Sequence, residues 1–177
     1  RHNCIPAPYS IYKGIGKLEP GHYVTLPLSD IPLAKVTPPQ AYWRLNDAVK
    51  KGLANPFSGT PTEAMDLLEA QLLASVGQQM LADVPLGAFL SGGVDSSTIV
   101  ALMQAQSMQP VRTFTIGFDE GGYDEAVHAK AVAKHLGTQH TELYVSPQDA
   151  LAVIPQLPSM YCEPFSDSSQ IPTFLVS

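Results

Sequence analysis

The sequence predicts an α/β fold, an open parallel sheet with helices on both faces, preceded by a short β-rich segment. Three observations predict it. Beyond residue 60, apolar strand-like runs alternate with helix-like stretches in the order β-α-β-α-β, the pattern of parallel strands joined by right-handed crossovers. Before residue 45, Pro6, Pro8, Pro20, Pro27, Pro32, Pro38 and Pro39 forbid long helices. Between the first apolar run and the helix after it lies Ser91-Gly92-Gly93-Val94-Asp95-Ser96-Ser97, a glycine turn from strand to helix.

The elements follow in order. Tyr9 to Ile15 and His22 to Leu28 carry β-branched and aromatic residues and read as short strands or extended segments. Leu18-Glu19-Pro20-Gly21 reads as a turn between them. Tyr42-Trp43-Arg44-Leu45 reads as another short strand, and residues 46–59 as a linker. Thr60-Pro61-Thr62-Glu63 is a capping box with proline at the first helical position. Ala64, Leu67, Leu68, Leu72, Val76 and Met80 then recur at helical spacing. Val84 to Leu90 reads as a short buried strand, Ser97 to Gln106 as a helix and Val111 to Phe118 as a second strand. Asp124 to Leu136 reads as a helix with Asp124 as its cap, Glu125 as a first-turn charge and Gly137 just past its end. Thr138 to Val145 is the third strand, and Ser146-Pro147 opens a helix that Pro155 should end.

Composition narrows the function classes. The 177 residues carry a net charge of −6, and no Lys/Arg cluster exceeds Lys50-Lys51. That argues against a nucleic-acid groove or an anionic membrane surface. No apolar run approaches the ~20 residues of a membrane span, and the first residues lack a signal-peptide pattern. Cys4 and Cys162 are far apart and lack metal-ligand spacing. They read as free thiols in a reducing cytoplasm. His2, His22, His128, His135 and His140 form no zinc motif. Arg1 is not a methionine, and Phe174-Leu175-Val176-Ser177 ends in helix-like sequence without a stop signal, so a fragment of a longer protein is expected.

The glycine turn is the informative chemistry. Gly92 and Gly93 let the backbone approach an oxyanion closely. The free N–H groups of a helix's first turn then point at that anion, assisted by the helix dipole. Asp95 would repel a bare phosphate. It fits if Mg2+ sits between them, because Mg2+ is held by one or two carboxylates plus phosphate oxygens. The turn has no lysine, so it is not the common G-x-x-x-x-G-K-[ST] loop. Open parallel sheets bind ligands at the carboxyl ends of their strands, where this turn falls.

The run Ser91-Gly92-Gly93-Val94-Asp95-Ser96-Ser97 resembles the PP-loop of the ATP pyrophosphatase superfamily, whose folds are adenine nucleotide α-hydrolase-like. The resemblance extends further. Val84 to Ser97, Thr113 to Phe118, Tyr123 to Ala126, His135 to Thr138 and Glu163 to Ser169 look like the synthetase domain of glutamine-hydrolysing asparagine synthetases. Residues 5–23, with Pro6-Ala7-Pro8-Tyr9-Ser10-Ile11-Tyr12 and Leu18 to Tyr23, resemble the tail of that family's N-terminal glutaminase domain.

The resemblance implies a domain plan: 1–45 a glutaminase tail, 46–59 a linker, and 60–177 the first part of an ATP-binding synthetase domain. It implies a reaction in which aspartate's β-carboxylate attacks the α-phosphate of Mg-ATP, pyrophosphate leaves, and glutamine-derived ammonia displaces AMP. Ser91, Gly92, Gly93, Ser96 and Ser97 would hold the pyrophosphate, and Asp95 the Mg2+. Leu90 and Ile116 match positions that contact the adenosine. Glu163, Asp167 and Ser168 match a loop near the aminoacyl substrate; Asp167 also reads as a helix cap before Ile171. Asp119 and Glu120 read as a solvated loop.

Departures from the family set further expectations. Neither Arg1 nor Cys4 is the family's N-terminal glutaminase cysteine, and the Ser-Gly-Asp-Gly-x-Asp-Glu signature of the fourth strand is absent. The chain alone is expected neither to hydrolyse glutamine nor to make asparagine. Without a fourth strand, apolar surface around Leu86 and Phe89 is expected to be exposed, favouring self-association or complementation by a missing segment. Two other readings stay open: a PP-loop amidotransferase or β-lactam-forming synthetase with another acceptor, and a non-catalytic nucleotide-binding or interaction module.

Overall fold

The computed structural model describes residues 3–29, 36–118 and 125–177. It divides into two compact units. One comprises Arg1–Ser58 with Pro158–Asp167, the other Gly59–Leu157 with Ser168–Ser177.

In the first unit, β1 (His22–Tyr23) pairs antiparallel with β2 (Gln40–Ala41). The Tyr23 hydroxyl donates to Gln40 Oε1 at 2.7 Å across this pair. The turn before β1 forms as expected: His22 N–H donates to the Glu19 carbonyl at 3.2 Å, and Gly21 has φ +70°. The other expected strands contract or disappear. Tyr9 to Ile15 forms turns, held by Tyr9 N–H to Pro6 and Ile15 N–H to Tyr12. His22 to Leu28 is strand only at its first two residues. Tyr42 and Trp43 both donate to the Gly21 carbonyl, at 2.9 and 3.2 Å, and so leave the ladder. Within the expected linker a helix forms instead, α1 (Leu45–Ala54). No proline interrupts it, and Leu45, Val49 and Leu53 line one face four residues apart, all exposed.

The second unit holds the parallel sheet. It opens with α2 (Pro61–Gln79), whose capping box forms: Glu63 N–H donates to Thr60 Oγ1 at 3.3 Å, and Thr60 N–H to Glu63 Oε2 at 2.7 Å. Strands β3 (Gly87–Phe89), β4 (Arg112–Phe118) and β5 (Gln139–Val145) lie in that order, all parallel. Ala88 pairs with Thr113, and Thr113 with His140. β3 is shorter than the Val84–Leu90 strand expected and is not buried, because it is an edge among the described residues. Val84 is 70% and Phe89 54% exposed, and Leu86 is also exposed, as expected for the surface around Leu86 and Phe89.

The crossover helices are α3 (Val94–Gln106) and α4 (Glu125–Leu136). Val76 of α2 packs with Leu102, Met103 and Val111. A second cluster joins Leu90, Val100, Ala129 and Ala133. The buried alanines Ala126, Ala129 and Ala133 keep α4 thin where it meets the sheet. Gly137 ends α4 at φ +71°, with Thr138 N–H donating to the Ala133 carbonyl at 3.1 Å, the six-to-one bond of a glycine-terminated helix. The expected cap, Asp124, lies outside the described residues.

After β5, Ser146 and Asp149 form a second capping box on α5 (Pro147–Val153). Pro155 does not stop the chain from coiling. The α-helix ends before it, Pro155 sits in a 3₁₀ turn at Ile154–Gln156, and one more helical turn follows, α6 (Leu157–Met160). A 3₁₀ turn absorbs the lost proline donor. The last element is α7 (Gln170–Val176), packed on β4. Its cap position is Ser169 rather than Asp167. Among the described residues no helix is long and apolar enough to cross a membrane.

Candidate functional site

β3 delivers the chain to the site. Past Phe89, Leu90 N–H donates to the Phe114 carbonyl at 2.8 Å, and the Leu90 side chain is 1% exposed beside Val100 and Ala129. The backbone then turns at Gly92, whose φ is +78°. A Cβ there would lie 2.7 Å from both the Ala129 nitrogen and the His128 Cβ. Glycine is therefore required twice, by conformation and by the closeness of α4.

The helix starts three residues earlier than the sequence suggested. Ser97 N–H donates to the Gly93 carbonyl at 3.0 Å, which closes the first turn from Val94. Val94, Asp95 and Ser96 thus belong to the helix rather than to the loop. Two of the three serines tie the loop to that turn. Ser96 Oγ accepts from Ser91 N–H at 3.2 Å and lies 2.9 Å from Ser91 Oγ. Ser91 Oγ accepts from Gly93 N–H at 3.3 Å. The third hydroxyl differs: Ser97 Oγ is buried and has no hydrogen-bond partner. Gly93 is the cap residue, and no side chain caps α3. The first-turn N–H groups, orphaned in any helix, are therefore left to other acceptors, whereas α2 and α5 each have one bonded by the cap side chain, Glu63 N–H to Thr60 and Asp149 N–H to Ser146.

Asp95 is exposed in this first turn. Among the described residues no group of three or more His, Cys, Asp and Glu is placed to hold a metal. Asp95 would thus supply one carboxylate and leave most of a cation's shell to ligand oxygens and water, a set that suits Mg2+.

Beside the loop is a cleft of about 230 Å³, with Leu90, Ser91, Ile116, Phe114, Glu125 and Thr173 among its walls. Leu90, Ser91 and Ile116 are thus brought together, at the carboxyl ends of neighbouring parallel strands. Sequence reasoning missed the cleft's Phe114 and Thr173 and assigned Glu125 only a helix charge. The signal for Phe114 was available, since strand ends next to a glycine turn share one crevice. Nothing in the sequence marked Thr173.

The remaining site residues lie elsewhere. Glu163 belongs to the other unit, where it pairs with Lys17 and accepts Ile11 N–H at 3.3 Å. The Lys17 hydrogen bond, above all, holds its carboxyl below the usual range. Asp167 and Ser168 are exposed residues just before α7. Asp119 and Glu120 lie outside the described residues.

Comparison with known proteins places the chain in a family. The family profile for asparagine synthase matches residues 67–177. A putative glutamine-hydrolysing asparagine synthetase of Methanocaldococcus jannaschii is 39% identical across 98% of this chain and 32% of its own length. Asparagine synthetase (glutamine-hydrolysing) 1 of Bacillus subtilis is 30% identical, with 98% and 25% covered. The human glutamine-hydrolysing asparagine synthetase is 28% identical, with 78% and 26% covered. The chain spans a third or less of these relatives' length. Its match to the profile takes in β3, the glycine turn and α3, and on that match the chain belongs to the asparagine synthase family.

Proposed function

We propose that the full-length protein is a glutamine-dependent asparagine synthetase. It adenylates the β-carboxylate of aspartate with Mg-ATP, releases pyrophosphate, and transfers glutamine-derived ammonia to give asparagine. In this reading residues 1–45 are the tail of the glutaminase domain, 46–59 the connection, and 60–177 the first part of an open two-faced PP-loop sheet. The protein works in the cytoplasm on small molecules and binds neither nucleic acid nor membrane. The observation that carries the reading is the uncapped start of α3 beside the orphaned Ser97 hydroxyl. Both are donors without acceptors at a turn where a Cβ has no room, which is what a bound polyphosphate needs.

The roles follow from position. The N–H groups of Val94 to Ser96 and the Ser97 hydroxyl would hold the pyrophosphate, with Ser91 and Ser96 fixing the loop's shape around Gly93, whose own N–H is taken by Ser91 Oγ. Gly92 lets the backbone come close. Asp95 would bind Mg2+, whose charge offsets that of the departing pyrophosphate. Leu90 and Ile116 would flank the adenosine. Donors held in place before the leaving group's charge develops stabilise it without reorganisation. Glu163, Asp167 and Ser168 are proposed for the aspartate side of the reaction.

Calorimetric titration of Mg-ATP into the chain, beside Asp95→Ala, tests the site. Binding that Asp95→Ala weakens at least about tenfold is expected, since a charge-assisted contact is worth ~1.5–3 kcal/mol. Equal binding by the two chains would remove Asp95 from the metal role, and absence of binding by a folded chain would remove the site.

A further inference from the structure

Two thiols outside the nucleotide cleft share one cavity. Cys4 and Cys162, the chain's only cysteines, are both exposed. Both line a pocket of about 500 Å³ in the first unit, with Tyr12, Lys17, Glu163 and Phe165. The segments that carry them are tied together at or beside each cysteine's backbone. Ser166 N–H donates to the carbonyl of Asn3, the neighbour of Cys4, at 2.7 Å. The Tyr12 hydroxyl donates to the carbonyl of Cys162 itself at 2.6 Å. The Lys17–Glu163 ion pair and the Ile11–Glu163 bond join the same two stretches. Two exposed cysteines 158 positions apart in sequence thus line one solvent-open space.

We propose that Cys4 and Cys162 form a reversible, peroxide-sensitive disulfide that locks residues 158–167 onto the amino-terminal segment. One thiolate attacks a hydroperoxide oxygen, which gives a sulfenic acid and water or alcohol. The other thiol attacks that sulfur, the S–S bond forms, and the sulfenic oxygen leaves as water. Two thiols are oxidised by two electrons and one hydroperoxide is reduced. The sulfurs must come within bonding distance, so the pocket closes as the bond forms. An exposed disulfide of this kind is readily reduced again, unlike a buried structural one.

The test treats the 177-residue chain, shown to be folded by circular dichroism, with stoichiometric hydrogen peroxide. The expected result is a monomer that has lost two hydrogens, in which one proteolytic product joins the Cys4 and Cys162 peptides and dithiothreitol separates them. In a glutathione buffer the folded chain should form this cross-link at least about tenfold more readily than the chain in urea, because the fold supplies the proximity. Cys4→Ser and Cys162→Ser should each abolish it. Cross-links only between chains, only stable sulfenic or glutathione adducts, or equal cross-linking in urea would each overturn the proposal.

Discussion

Gly92 sits directly against α4, and the atom a side chain would meet first is backbone: the Ala129 nitrogen, 2.7 Å from where a Cβ would stand. Backbone cannot rotate aside as a side chain can. Gly92→Ala should therefore destabilise the chain by about 2 kcal/mol or more, since the left-handed conformation alone costs about 1–3 kcal/mol. Gly93→Ala is the control. Gly93 has φ −72°, and a Cβ there meets only Ser91 Oγ at 3.3 Å. Urea unfolding of the two variants should differ clearly, and similar midpoints would remove the close-packing argument.

Ser97→Ala should separate binding from folding. Its hydroxyl has no partner to lose, so the variant should unfold at the same urea concentration as the parent or a higher one. Mg-ATP affinity should fall at least several-fold. Ser96→Ala should lower both, because Ser96 Oγ holds the Ser91 amide and approaches the Gly93 carbonyl. If Ser97→Ala lost stability and kept affinity, the hydroxyl would be a packing group only.

The sheet contains a pH-sensitive histidine. His140 Nδ1 lies 2.9 Å from Thr113 Oγ1, while its Nε2 is buried without a partner. Burial holds the imidazole below its ordinary 6.5; Glu142 raises it and Lys130 lowers it, both less strongly. The unfolded chain therefore takes up a proton at a pH where the folded chain does not. His140's contribution is at its fullest above about pH 6.5 and falls as the pH drops below it. Urea unfolding at several pH values should show His140→Gln losing less stability than the parent between about pH 7 and 5.5. Parallel curves would mean that His140 titrates alike in both states.

Thr60→Ala removes one arm of the box that starts α2, and Ser146→Ala does the same for α5. Each should cost about 1 kcal/mol in thermal or urea unfolding, the usual value of a helix cap. Backbone and side-chain bonds from Thr60 hold the Glu63 carboxyl below 4.5. The Thr60 effect should therefore persist at neutral pH and shrink as acid protonates Glu63.

The parts of the fold that were legible in the sequence rest on local chemistry. The box at Thr60, the helix start at Ser146-Pro147, the glycine stop at Gly137 and the strand from Val111 to Phe118 are written in adjacent residues. What was missed depends on partners distant in sequence. Tyr42 and Trp43 look like strand but give their amides to Gly21. Val84 to Leu90 looks like a buried strand, yet only three of its residues pair, because β4 is the sole neighbour among the described residues. In the site, the glycine turn was plain from its pattern, but the start of α3 was misplaced because Gly93 caps it without a side-chain signature. The third wall of the cleft, from α7, could be found only once the chain had folded back on β4.

The bare start of α3 also bears on engineering. Routine stabilisation would install a good cap, Gly93→Ser or Gly93→Asp; the extended backbone there suits either residue, and the Cβ would ask only a small shift of the Ser91 hydroxyl. Such a change should raise the melting temperature, yet it would hand the helix a built-in acceptor for the amides that the proposed function gives to a phosphate. Under the proposed function, a more stable scaffold and a better nucleotide site are competing design goals, and residue 93 is where they compete.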